Sequence, residues 1–342
     1  MSLKSIQRKR EYTKYVVDKR LCYYEPSGDK LQKTFAQELS SSLDQKQKSI
    51  HSKFFYDKKG SQLFEEICKL PEYYLTRTEI GILTQLYDKL PSHLNGDFRL
   101  VELGSGSSKK TRILLSILER LHKHIEYFPI DISKILKESS TMLLDDYENL
   151  HITGIIDNYE SGLEFIKNHD NKKNLIAFLG SSFGNFDYEH GLKFLQKINS
   201  SMKKNDLFLI GLDLVKEKTV LERAYNDSQG VTAKFNLNVL SRINSELDSN
   251  FNINKFAHHA FYNEYKNRVE IYLRSLENQT VKIHKAGMVL PIKQDELIHT
   301  ENSYKYTISK IKEIFSMSSF RIKDIWFDEK QYFCLVLLSK ND

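Results

Sequence analysis

"VELGSGSSKKT", residues 101–111, is a short apolar run that breaks into glycine and serine and then into two lysines. A strand that stops this abruptly in small residues leaves its carboxyl end open to close approach by a ligand. Similar apolar runs surround it: "RLVEL" (99–103), "IEYFPI" (125–130), "HITGII" (151–156), "LIAFLG" (175–180) and "LFLIGL" (207–212). Helical stretches alternate with them. One, "TRILLSILERL" (111–121), sets Ile113, Leu114, Ile117, Leu118 and Leu121 on one face. Strands alternating with helices predict a parallel sheet covered on both faces.

The alternation halts between 213 and 305, where helical segments, a "DSNFNINKF" turn and the alternating strand "RVEIYLRS" intervene. A helix, "YTISKIKEIF", follows. The short turn "DEKQ" (328–331) then joins two final runs into an antiparallel hairpin. Five parallel strands plus that hairpin fit the seven-stranded, Rossmann-like sheet of many methyltransferases better than a six-stranded dinucleotide fold. Upstream, residues 31–93 are helical in pattern. "SQLFEEICKL" places Leu63, Phe64, Ile67 and Leu70 on a stripe, with Ser61 as the predicted N-cap. Residues 1–30 are charged and aperiodic and are expected to form a loosely held arm.

Bulk composition excludes several classes. The 342 residues are 40% hydrophobic and 12% aromatic, enough for a sizeable core. A net charge of +6, from 51 basic and 45 acidic side chains, is mild and scattered, so no nucleic-acid partner is expected. No run approaches the ~20 apolar residues of a membrane span. "MSLKSIQRKREYTKY" lacks the apolar core of a secretory signal. Cys22, Cys68 and Cys334 lack metal-ligand spacing and are expected as buried thiols in a reducing compartment. The expectation is a cytoplasmic protein with no metal.

The glycine turn admits three ligands. A phosphate-binding P-loop wants two glycines five apart, but Gly104 and Gly106 are two apart. A dinucleotide fingerprint wants a third glycine where Lys109 stands. S-adenosylmethionine (SAM) fits better. Its amino-acid tail can lie against Gly104 and Gly106, with the carboxylate near the next helix N-terminus. Asp131, in "FPIDIS", is placed at the end of the second strand to hold ribose hydroxyls, and Asp157, in "IIDNY", to reach an adenine amino group. "FLGSSFGNFD" (178–187) follows the fourth strand, at the crevice where open α/β sheets bind ligands. Base N-methyltransferases often carry Asn-Pro-Pro-aromatic there. Gly184-Asn185-Phe186 instead argues against a base, and Asn185, both donor and acceptor, suits a zwitterionic amino acid. Position alone leaves Tyr56, Tyr73 and Tyr225 as core-edge tyrosines, and Glu301 and Ser303 could simply begin a helix.

Six segments in order, "KFFYDKKGSQLFEEICKLPEYYLTRTE", "VELGSGSSKKT", "PIDIS", "LGSSFGNF", "GVTAKFNLNVLSRIN" and "ENSYKY", spread over roughly residues 50 to 306, closely resemble the histidine-specific, SAM-dependent N-α-methyltransferases of ergothioneine biosynthesis. The resemblance implies a cofactor held by Gly104, Gly106, Lys110, Asp131, Asp157 and Asn158, with Lys110 meeting the SAM carboxylate. It implies that Asn185, Tyr73 and Tyr225 hold the α-amino and carboxylate groups of L-histidine, and that Glu301 and Ser303 read its imidazole. Tyr56, near the amine through water, and Asn185 are the implied catalytic residues. The product of the family is the trimethylated betaine hercynine. An arm (1–30), a substrate domain (31–80 and 214–305) and a SAM domain (81–213 and 306–342) are expected in a monomer. Three positions depart from the family's pattern: Leu75 for a common proline, Phe183 for isoleucine, and "DNY" for Asp-Phe. The nearest rival substrate is another aromatic amino acid, such as tryptophan or a derivative.

Overall fold

The structure, a computed structural model, describes residues 10–27, 34–106, 108–133 and 135–341. Its first element corrects the expectation of a loose arm. β1 (Tyr12–Val16) and β2 (Leu21–Pro26) form an antiparallel hairpin, and β2 pairs in parallel with β5 (Leu150–Ile155). Leu21 and Tyr23 alternate inward on β2 and are buried beneath the hairpin, which anchors it. Residues 1–9 and 28–30 of the expected arm lie outside the described residues.

Three helices follow: α1 (Phe35–Leu43), α2 (Lys58–Ile67) and α3 (Tyr74–Lys89). The N-cap of α2 is Asp57, not Ser61, because the Asp57 carboxylate accepts from the Gly60 amide at 2.6 Å one turn earlier. The alternating stretch then runs β3 (Phe98–Leu103), α4 (Lys109–Leu121), β4 (Ile125–Ile130), α5 (Ile135–Asp146), β5, α6 (Tyr159–His169), β6 (Lys173–Phe178), α7 (Tyr188–Ser201) and β7 (Leu207–Asp213). On α4 the buried stripe is Leu114, Leu115, Ile117 and Leu118, while Leu121 is 38% exposed at the helix end, one turn beyond the sheet.

From Lys218 the chain builds α8 (Lys218–Tyr225), α9 (Val231–Leu247), and strands β8 (Phe256–Asn263), β9 (Arg268–Ser275), β10 (Gln279–Ile283), β11 (Met288–Ile292) and β12 (Leu297–Tyr304). α10 (Ile308–Met317), β13 (Phe320–Phe327) and β14 (Phe333–Lys340) close it. The main sheet has the order β1-β2-β5-β4-β3-β6-β7-β14-β13. The seven expected strands are present, and the N-terminal hairpin adds two at the β5 edge.

Strict alternation feeds both faces of this sheet. Leu100, Leu175, Leu209 and Leu335 point to a core with α3, α4 and α5. Val101, Ile176, Ile210 and Val336 point to a second core with α6, α7 and α10. A third core gathers α1, α2, α8 and α9 with β8 to β12. α3 joins two of them, with Tyr74 and Leu75 in the third core and Ile82, Leu83 and Leu86 against the sheet.

Candidate functional site

The site lies where the carboxyl ends of β3, β4, β5 and β6 meet the third core. Three backbone bonds set those ends side by side. Gly104 N donates to Ile130 O at 3.0 Å, Asp131 N to Ile155 O at 3.1 Å, and Ile156 N to Tyr24 O at 2.9 Å. Gly104, Asp131 and Asp157 therefore lie along one rim, as the sequence predicted for a crevice at strand ends.

Gly104 has φ +74°, and a β-carbon there would lie 2.7 Å from the Tyr159 hydroxyl, so a side chain here would strain the turn and displace that hydroxyl. Asp131 accepts from the Ser133 amide at 2.8 Å; burial raises its carboxyl above the usual range, against the pull of the Ser133 and Ile132 amides. Lys110 Nζ sits 2.8 Å from Glu79 Oε2. Glu79, on α3, is buried and takes the Gly180 amide on both oxygens at 2.9 Å. This unforeseen acid ties α3, α4 and the loop after β6 together. Asp157 is also more occupied than expected: Tyr12 Oη (2.8 Å) and Arg10 Nε (3.1 Å) reach its Oδ2 from the N-terminal hairpin. Asn158 caps α6 by accepting from the Ser161 amide at 2.9 Å.

Two buried polar groups lie on the loops at the strand ends. Ser108, beside the glycine turn, and Ser181, on the loop after β6, both hold positive φ (59° and 57°). The hydroxyls of both are buried without a protein partner. Strained residues with unpartnered buried hydroxyls are features of ligand-binding sites.

The second half of the site is carried by β12. Glu301 and Ser303 share a strand face, not the start of a helix, and a bulge at Thr300 separates the pairs His299–Tyr272 and Glu301–Ile271. The 3₁₀ turn Ser182–Asn185 after β6 packs directly on this strand. A β-carbon on Gly184 would lie 2.9 Å from the Tyr304 carbonyl, so its absence permits the contact and brings Asn185 to Glu301. Burial pushes the Glu301 carboxyl up to about 7, while Lys305 and Asn185 pull it back.

Tyr73, at the start of α3, and Tyr225, at the end of α8, are buried with ring centroids 6.1 Å apart. Tyr56 packs edge-on to Phe64 (5.6 Å) and Phe235 (5.7 Å) and is 41% exposed, at the open side. The structure thus gathers all six residues expected on the substrate side. It adds a buried polar chain that sequence reasoning missed. Tyr225 Oη lies 2.7 Å from Ser303 Oγ, and Lys305 Nζ reaches Ser303 Oγ (2.8 Å), Tyr225 Oη (2.9 Å) and Asp213 Oδ2 (2.7 Å). Lys216 and Tyr74 complete the shell of Asp213, at 2.5 and 2.8 Å. Burial works against ionised Asp213, but the two lysines overrule it and hold the carboxyl below its usual range. The signal for Lys305 was available: Glu301, Ser303 and Lys305 repeat at a spacing of two.

Among the described residues no helix is long and apolar enough to cross a membrane, and no acid, His and Cys cluster could hold a metal ion. Comparison with known proteins gives a consistent set. The family model for a histidine-specific, SAM-dependent methyltransferase matches residues 35–340. A histidine N-α-methyltransferase of Mycobacterium tuberculosis is 36% identical, over 88% of this chain and 93% of that one. Its counterpart in Mycolicibacterium smegmatis is 33% identical, over 91% and 96%. Ergothioneine biosynthesis protein 1 of Neurospora crassa is 30% identical over 84% of this chain and 32% of its own length.

Proposed function

The chain belongs to the histidine-specific, SAM-dependent methyltransferase family, and from that premise we propose how its residues divide the work. The enzyme methylates the α-amino group of L-histidine, within ergothioneine biosynthesis. The trimethylated betaine hercynine is the product we assign.

In this assignment Gly104, Gly106, Lys110, Asp131, Asp157 and Asn158 form the cofactor side. Bound SAM supplies an electrophilic methyl group on a sulfonium. Methyl transfer to an amine is an in-line displacement, so the protein's contribution is chiefly positioning. Asn185, Tyr73 and Tyr225 hold the substrate's amino and carboxylate groups, Tyr225 as an acceptor from the amino group, which fixes the direction of the nitrogen lone pair. That nitrogen must be neutral to react. The α-ammonium of a free amino acid titrates above the peptide-terminus reference of about 8 and is mostly protonated near pH 7, so a desolvated pocket has to favour the neutral form. The tyrosine-rich walls supply that desolvation, and Tyr56, at the open side, can pass the released proton to water. Three free thiols suit a reducing, cytoplasmic setting.

Histidine is favoured by one observation above the rest: Glu301 and Ser303 share one face of β12, with Glu301 against Asn185. A carboxylate and a hydroxyl match the two ring nitrogens of imidazole, and a phenyl or indole ring leaves at least one of them unpaired. Sites built on such bonds reject analogues lacking them by about 10⁴–10⁵. The test is mass spectrometry of purified protein with SAM and an equimolar mixture of the twenty amino acids. Mono-, di- and trimethylhistidine alone are expected. Methylated tryptophan with untouched histidine overturns the assignment of Glu301 and Ser303.

A further inference from the structure

Lys305 is the most deeply enclosed cation of the site, with its side chain wholly buried. An ammonium has three N–H donors and no acceptor. Three acceptors surround this one, at 2.7 Å (Asp213), 2.8 Å (Ser303) and 2.9 Å (Tyr225). Every donor is used, and both hydroxyls must accept from it. The same hydroxyls lie 2.7 Å apart, so one of their two hydrogens spans the gap. The other must leave the triangle.

Tyrosine, with a phenolic pKa near 10, is the stronger donor, and the serine oxygen offers two lone pairs. Ser303 then accepts from both Lys305 and Tyr225, and its own hydrogen has nowhere to go but outward. We propose that Lys305 is a positioning residue for substrate recognition, which makes Ser303 a pure hydrogen-bond donor toward the imidazole. This rests on the histidine assignment above. A donor at Ser303 and an acceptor at Glu301 together select a neutral ring with one bare nitrogen and one N–H. An indole, whose single nitrogen carries hydrogen, leaves Ser303 without an acceptor.

The device survives removal of its cation, because Asp213 keeps Lys216 and Tyr74 as partners. The test is a double-mutant cycle on histidine affinity, read by calorimetry with S-adenosylhomocysteine present. Lys305→Met and Ser303→Ala are each expected to weaken histidine binding by about 10- to 100-fold, and the double variant by no more than the worse single one. Affinity for S-adenosylhomocysteine should stay within about threefold, and Lys305→Arg should not restore histidine binding, since a planar guanidinium cannot reproduce the three directions.

Multiplying losses in the double variant, or unchanged histidine affinity in Lys305→Met, overturns the proposal. A second measurement needs no variant. Nitrogen NMR of ring-labelled histidine on the wild-type enzyme at pH 8 should show a neutral ring with its bare nitrogen hydrogen-bonded. A doubly protonated ring refutes the proposal even if the family activity stands. Failure of the wild type to bind histidine removes the functional assignment itself.

Discussion

Replacing Glu301 by glutamine is expected to stabilise the ligand-free enzyme above neutral pH while abolishing histidine binding. The folded protein holds the Glu301 proton up to about pH 7, against 4.5 for an ordinary glutamate, chiefly because ionisation in this buried setting is costly. The folded state therefore binds more protons than the unfolded one between those values, and stability falls as pH rises through that window. At pH 8 the penalty reaches about 3 kcal/mol; at pH 5 it is under about 1 kcal/mol. Glutamine cannot ionise and escapes it. For a chain of this size, 3 kcal/mol corresponds to a rise of roughly 4 °C in melting temperature. Thermal melts of both proteins at pH 5 and pH 8 check this, each with and without histidine plus S-adenosylhomocysteine. The variant should gain mainly at pH 8, and the ligands should raise the wild-type melt far more than that of the variant. Equal melting temperatures at pH 8, or the same gain at both pH values, would refute the idea that recognition is stored here as a destabilising, half-buried acid.

Two further outcomes separate the halves of the site. Asp131→Asn removes a charged acceptor from the cofactor rim and should weaken S-adenosylhomocysteine binding by about 10- to 100-fold in calorimetry, the range for a hydrogen bond to a charged group; unchanged affinity argues against a ribose role. Gly184→Ala forces a β-carbon to within 2.9 Å of the Tyr304 carbonyl, so the turn must shift and carry Asn185 away from Glu301. KM for histidine should rise at least about tenfold with cofactor affinity nearly constant, and an unaltered KM would show that the turn gives way harmlessly.

The parallel sheet was legible because buried strands leave continuous apolar runs, and β3 to β7 each stand within two residues of the runs at 99, 125, 151, 175 and 207. The N-terminal hairpin was not. β1 lies at the sheet edge with four of its five residues exposed, so Tyr12–Val16 carries charge and no clean alternation, and the buried pair Leu21 and Tyr23 is too short to signal alone. β12 was hidden for another reason. The bulge at Thr300 breaks the period of two just before Glu301, and "ENSYKY" therefore resembles a cap as much as a strand. On the cofactor side, spacing pointed to Gly104, Asp131 and Asp157 at the strand ends. It did not reveal Glu79, because an acid in mid-helix is ordinarily a solvated one. Nor did it reveal that Arg10 and Tyr12 cover Asp157, a contact spanning some 145 residues.

The place of β14 bears on how the protein comes into being. Its residues, 333–340, fill the gap between β7 and β13, while β2, from residues 21–26, waits at the opposite flank for β5. During synthesis β7 emerges with one edge bare, and more than a hundred further residues must leave the ribosome before its neighbour exists. An exposed apolar edge of that lifetime is where chains associate with one another. Slow translation or scarce chaperone should therefore cost this enzyme yield long before it costs the finished molecule stability.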